Sequence, residues 1–214
     1  MVFGKLSVAD INYLWRGTLL TLRLCLTGIG LGLILGVMFG ILRANPRRTL
    51  TKMIATVYIE FFRAVPLMLL FVVGYFGIIS LGYNVSRFGA VVGAISLYTG
   101  AYIGQVVRTG IESVGRGQWE AGVSLGMSYP DTLRYVILPQ AVKIMIPPAI
   151  GIVIGVVKGS SLASVVGYVE LVLAGRHVIQ RTYAPLLVMG TIAMIYFVIC
   201  YPLSILSKNL ERKL

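Results

Sequence analysis

The chain has 214 residues, a formal net charge of +12 and a hydrophobic share of 57%, with a mean hydropathy of +0.89. Only 12% of its residues are charged, about half the share usual in soluble domains. A soluble domain of this length cannot hide so much apolar surface in one core, which excludes a soluble enzyme, a disordered chain and a secreted disulfide scaffold. What remains is an integral membrane protein, read as a single domain over 1–214. The nineteen Lys and Arg are scattered between apolar runs. Positive-inside topology and anionic lipid heads account for them, so no nucleic-acid partner is expected.

The first apolar run, Gly17–Leu42, is 26 residues long and no A-x-A-like site follows it. It reads as a span and not as a cleaved leader. Met53–Leu81, Phe88–Val107, Gln140–Val157 and Ala184–Ser207 are also long enough to cross a bilayer. The fold class is therefore all-α integral membrane with about five transmembrane helices. A sixth apolar stretch, Ser160–Gly175, is shorter and carries Glu170 in its interior. It reads as a re-entrant or interfacial segment packed against protein, with a sixth span as the alternative.

Basic residues set the orientation. With the N-terminus outside, the cytoplasmic segments hold eleven: Arg43, Arg47, Arg48, Lys52, Arg108, Arg116, Arg134, Lys143, Lys208, Arg212 and Lys213. The external segments hold six, namely Lys5, Arg16, Arg87, Lys158, Arg176 and Arg181. The bias favours N-outside and C-inside. Gly28, Gly32, Gly36 and Gly40 recur on one face of the first span, and Gly151, Gly155 and Gly159 near the end of the fourth. That spacing lets helix backbones approach closely, within one subunit or between two. Cys25 and Cys200 read as free thiols within apolar runs, and His177 reads as a loop residue without metal-ligand company.

The polar segment between the third and fourth spans, 108–139, is longer than topology requires. Trp119, Val123 and Met127 fall on one face at four-residue spacing, and Gly126 supplies a left-handed corner. Ser128 reads as an N-cap, with Pro130 in the first turn and Asp131 closing a capping box. Two short helices around a glycine corner would give a cytoplasmic partner a surface to dock on.

The run Glu120-Ala121-Gly122, then Gly126, then Leu138-Pro139 resembles the EAA signature of ABC-importer permeases, E-A-A-x3-G-x9-I-x-L-P. Gly122 stands for the second Ala and Val136 for Ile. V-Y-I-E-F-F-R-A-V-P-L at 57–67 resembles the family's E-x-F-R-G-T-P-L segment. G-Q-W-E-A at 117–121, V-I-L-P-Q-A at 136–141 and K-G-S-S-L-A-S-V-V-G at 158–167 resemble the polar amino-acid branch, the histidine and glutamine permeases. The resemblance covers nearly the whole chain. It implies a MetI-like permease fold in a bacterial or archaeal cytoplasmic membrane, with 108–139 as a cytoplasmic coupling-helix loop. It also implies that Trp119, Glu120, Ala121, Gly122, Gly126, Leu138 and Pro139 couple to two copies of an ATP-binding subunit. Further implied partners are a second permease subunit, identical or related, and an external solute-binding protein. The chain has no G-x-x-x-x-G-K-[ST] loop and no Ser-His-Asp set. It is therefore not expected to be an enzyme or to hold a cofactor, and ATP and Mg belong to the partner.

Ionisable groups within spans are candidates for function. Glu60 and Arg63, at i and i+3, either neutralise each other at a helix interface or contact a zwitterionic amino acid. Lys158, Ser160, Ser161 and Ser164 either bind substrate at a helix break or reduce to a snorkelling lysine and capping serines. Arg23 reads as snorkelling, Glu170 as a buried group with a partner, and Tyr75, Phe76, Tyr98 and Tyr102 as packing or belt residues. The expected function is a permease subunit of an ATP-driven importer for polar amino acids. The rivals are an ABC permease for another small solute and a self-sufficient secondary transporter or channel.

Overall fold

The computed structural model describes residues 5–45 and 49–212, so Arg47, Arg48 and Lys213 lie outside the described residues. Among those described, the chain is helical and contains no strand. Helix α1, Val8–Ala44, opens on a reciprocal cap: Ser7 Oγ accepts the Asp10 N–H at 3.2 Å, and Asp10 Oδ2 accepts the Ser7 N–H at 2.9 Å. Its 37 residues rise about 55 Å, well beyond the roughly 30 Å hydrocarbon layer.

The run predicted as a span over 53–81 is built from two helices. Helix α2, Thr49–Ala64, and helix α3, Leu67–Ser80, are bent by 104° at Val65–Pro66. Pro66 has no N–H to continue the ladder and pushes Val65 out of helical geometry. Helices α4, Arg87–Ser113, and α5, Arg116–Ser124, follow. Helix α6, Tyr129–Val166, includes a π-helical stretch at Thr132–Ile137 and ends as a 3-10 turn over Ser160–Val166. The wide turn lies just where Pro139 would otherwise clash with the carbonyl four residues back. Helix α7, Leu171–Thr182, and helix α8, Pro185–Glu211, complete the chain. Helices α1, α4, α6 and α8 are each long and apolar enough to cross a membrane, and the bent α2–α3 pair makes a fifth when counted as one broken span.

The apolar stretch Ser160–Gly175 is not a sixth span. It is the end of α6, a left-handed turn at Gly167 with φ of 73°, and the start of α7. The 12 residues of α7 rise only about 18 Å. Its Leu171, Ala174, Gly175 and Val178 are buried against α1 and α8. His177 sits on this helix and not in a loop, with Nδ1 2.9 Å from Tyr13 Oη. Cys25 and Cys200 are free and buried.

The centre of the fold is α1 against α4. A Cβ placed on Gly28, Gly32, Gly36 or Gly40 would lie 2.6 Å from Ile95, Thr99, Ile103 or Val107 respectively. Each glycine thus receives one side chain of α4, turn by turn, and the close approach supplies the dispersion contacts that hold helices together in lipid. Away from this seam, Leu26 and Ile34 of α1 and Met194 and Val198 of α8 are exposed, as lipid-facing positions require.

Candidate functional site

The polar segment 108–139 is divided among three elements. Helix α4 runs to Ser113, α5 stands alone, and Ser128 caps the head of α6. Only one short helix is separate, because the second expected one is the first turn of α6. Gly126 is left-handed at φ of 74°, where a β-carbon is strained. The Ser128 hydroxyl accepts from the Asp131 N–H at 3.4 Å and also donates to the Asp131 carboxylate.

Helix α5 is fixed to α6 at three points. Trp119 stacks on Tyr129 with ring centroids 5.2 Å apart, Gln118 Oε1 accepts from Gln140 Nε2 at 3.2 Å, and Gly122 is buried against Thr132. A Cβ on Gly122 would lie 2.5 Å from Thr132 Cγ2. That contact explains why Gly stands where the resembled signature has Ala. Trp119 and Leu138 join Val107, Ile111, Leu133, Ile137, Ala141 and Met145 in one apolar cluster spanning α4, α5 and α6. Val123 points outward, unlike Trp119. The outer face of α5 presents Glu120, Ala121 and Val123, Leu125 is exposed at its C-cap, and Pro139 is exposed on α6.

A second site surrounds the break between α2 and α3. Glu60 and Arg63 do approach, at 3.8 Å, but the nearer partner of Glu60 is Arg43 at 2.6 Å. Arg43 is 7% exposed and also donates to Gln105 Oε1 at 3.0 Å. One guanidinium thereby ties α1 to α2 and α4. The apolar run stops at Leu42 and leaves Arg43 among the cytoplasmic basic residues, whereas α1 carries it to Glu60 and Gln105. Gln105, a polar residue inside an apolar span, was the signal of a partner there. The Arg63 guanidinium lies over the Tyr102 ring at 5.5 Å, and Tyr102 Oη donates to the Arg63 carbonyl at 3.4 Å. That bond occupies a carbonyl freed by the proline break. Among the described residues, buried Arg63 Nε has no hydrogen-bond partner.

Tyr102 and Tyr98, with centroids 4.6 Å apart, continue into a cavity of about 340 Å³ walled by Pro148, Gly151, Ile152, Gly155 and Val156 of α6. Nothing lies within 4 Å of a Cβ placed on Gly151 or Gly155, whereas one on Gly159 would meet Leu67 at 2.9 Å. Lys158 lies elsewhere, in a groove of about 480 Å³ between α6 and α8 with Tyr196, Phe197, Cys200, Tyr201 and Ser204. Ser160 and Ser164 are buried and Ser161 is half-buried. Ser160, Ser161 and Ser164 donate to the carbonyls of Val157, Lys158 and Ser161 at 2.8, 2.8 and 3.0 Å. Arg23 lies over Phe88 at 4.8 Å.

Glu170, fully buried, caps α7 by accepting the N–H groups of Val172 and Leu173 at 2.7 and 2.8 Å. It lies between the spanning helices, with Tyr196 Oη of α8 3.5 Å from its Oε2.

The family model for "binding-protein-dependent transport system inner membrane component" matches residues 29–214. The probable glutamine ABC transporter permease protein GlnM of Bacillus subtilis (strain 168) is 36% identical over 197 residues, covering 92% of this chain and 89% of that protein. The arginine transport system permease protein ArtQ of the same organism is 32% identical, covering 97% and 95%. A solved amino acid ABC transporter with histidines matches at 32% identity and a TM-score of 0.88, over 97% of this chain and 96% of that one. The MetNI methionine ABC transporter, at 21% identity and a TM-score of 0.80, shares the fold.

Proposed function

The chain belongs to the family of binding-protein-dependent transport system inner membrane components and is a multi-pass permease subunit of an amino-acid ABC importer; from this premise we propose that it passes a polar amino acid along the open face of α6. The observation that carries the reading is the contrast between glycines. Gly28, Gly32, Gly36 and Gly40 of α1 are filled by α4, while Gly151 and Gly155 face an unfilled cavity beside Tyr98 and Tyr102. In a pair of permease subunits, identical or related, such faces line a shared path. Arg63 offers a guanidinium to the substrate carboxylate. The start of α3 at Pro66 has no side-chain cap and adds the positive end of a helix broken within the apolar layer.

Two ATP-binding subunits, holding ATP and Mg, dock on the outer face of α5. Their closure displaces α5, and the Trp119, Gln118 and Gly122 contacts carry that displacement into α6. The result is a two-state movement of the path. A solute-binding protein delivers substrate at the external end, with the N-terminus outside and the C-terminus cytoplasmic. Reconstitution with the ATP-binding subunit and binding protein tests the reading. ATP-dependent uptake of one or more among L-glutamine, L-arginine and L-histidine is expected. Uptake independent of ATP contradicts it.

A further inference from the structure

Glu60 sits between two guanidiniums, and the two contacts are unequal. Arg43 holds Oε1 at 2.6 Å with a second anchor on Gln105, while Arg63 stands 3.8 Å from Oε2. The first is a charge-assisted hydrogen bond, and the second is beyond hydrogen-bond reach. Among the described residues, Arg63 Nε is buried without a hydrogen-bond partner, which is costly unless something else fills that role. Its ring neighbour Tyr102 lines the cavity on α6. The arrangement keeps a carboxylate beside Arg63 yet engaged elsewhere.

We propose that Arg43 is a positioning residue that holds Glu60 away from Arg63, so that the Arg63 guanidinium stays free for the carboxylate of the transported amino acid. The inference rests on the path reading above. Without Arg43, Arg63 is the cation left within ion-pair distance of Glu60 among the described residues. Glu60 and Arg63 lie one helical turn apart on α2, and a rotamer change suffices to close their pair. The internal carboxylate then competes with the substrate. Arg43 therefore acts on binding through Glu60 and never touches the ligand.

The test is equilibrium binding to the purified permease–ATPase complex without the solute-binding protein. The probe is whichever of labelled L-glutamine, L-arginine or L-histidine the wild-type complex takes up fastest. The α-carboxamide of that amino acid is the competitor, because it lacks the carboxylate that Arg63 is proposed to bind. Arg43→Gln is expected to weaken binding about tenfold or more and to shrink the preference for the acid over its amide. Adding Glu60→Gln to Arg43→Gln is expected to restore both, since no internal carboxylate then remains. This double variant also removes the unpaired charge that threatens folding of the single one. Arg43→Gln with wild-type affinity and preference overturns the proposal. So does a double variant as impaired as the single one, which makes the clasp purely structural. Arg63→Gln separates the two levels. If it leaves affinity and preference unchanged, the path reading fails at Arg63. If it impairs both while Arg43→Gln does not, only the positioning role fails.

Discussion

The two glycine stripes share a four-residue spacing and differ in what faces them. Along α1, one side chain of α4 enters over each glycine, with a hypothetical Cβ at 2.6 Å. Along α6, Gly151 and Gly155 face open space, and only Gly159 is met, by Leu67. A small-residue stripe therefore marks close approach in general. Whether the approaching body is a neighbouring helix or something outside the chain is decided by the facing element. Tyr98 and Tyr102 extend this lesson to α4. That helix fills the α1 stripe with one side and leaves a tyrosine-walled cavity on the other.

The sharpest way to break this comparison is one β-branched residue in each stripe. Gly36→Val drives a side chain into Ile103 and toward the Gly100 carbonyl. It is expected to cost about 3 kcal/mol or more, read as loss of folded protein in size-exclusion chromatography. Gly155→Val is expected to keep the yield and lower uptake. Equal yields for both variants would erase the distinction.

Glu170 tests how α7 is held onto the packed side of the molecule. Glu170→Ala removes the acceptor of the Val172 and Leu173 N–H groups and should cost about 2–3 kcal/mol, read as a lower thermal unfolding midpoint of the purified protein. Glu170→Gln keeps an acceptor and should cost less. A wild-type midpoint for Glu170→Ala would contradict the cap.

The docking helix gives a smaller effect on stability and a larger one on function. Gly126→Val places a β-branched residue at φ of 74° and should cost about 2 kcal/mol locally. Together with Glu120→Lys on the outer face, it should reduce co-purification of the ATP-binding subunit or uncouple hydrolysis from uptake. Full coupled transport in both variants would refute the docking surface. Gly122→Ala is the mildest change. It restores the residue of the resembled signature, yet it must displace Thr132 and should cost about 1 kcal/mol. A gain in melting temperature would show that the Thr132 contact does not explain the glycine.

Much of this was legible in the residues. Hydropathy and length locate the spans, and Gly126, Ser128 and Pro130 mark the corner and the head of α6 because each has a local conformational role. What escaped was set by tertiary contact. Pro66 was visible, but a 104° bend depends on where α3 finds the 3-10 turn of α6 to pack on. Arg43 was visible as a charge at the end of a run, and its engagement with Glu60 and Gln105 required three helices to meet. The hydroxyls of Ser160 and Ser164 were plausible ligands by type, and the fold turns them onto their own backbone. Glu170 was placed in an apolar stretch, and its role as a helix cap followed only once Gly167 broke the chain before it.

The central claim is that the open face of α6 lines the path, and cysteine accessibility tests it directly. With Cys25 and Cys200 replaced by Ala, single cysteines at 151, 155 and 36 would be exposed to a membrane-impermeant thiol reagent in the reconstituted transporter. The account predicts labelling at 151 and 155 that the transported amino acid slows, and no labelling of position 36 in whatever folded protein that variant yields. Positions 151 and 155 as inert as position 36, or labelled at a rate the amino acid does not change, would contradict it.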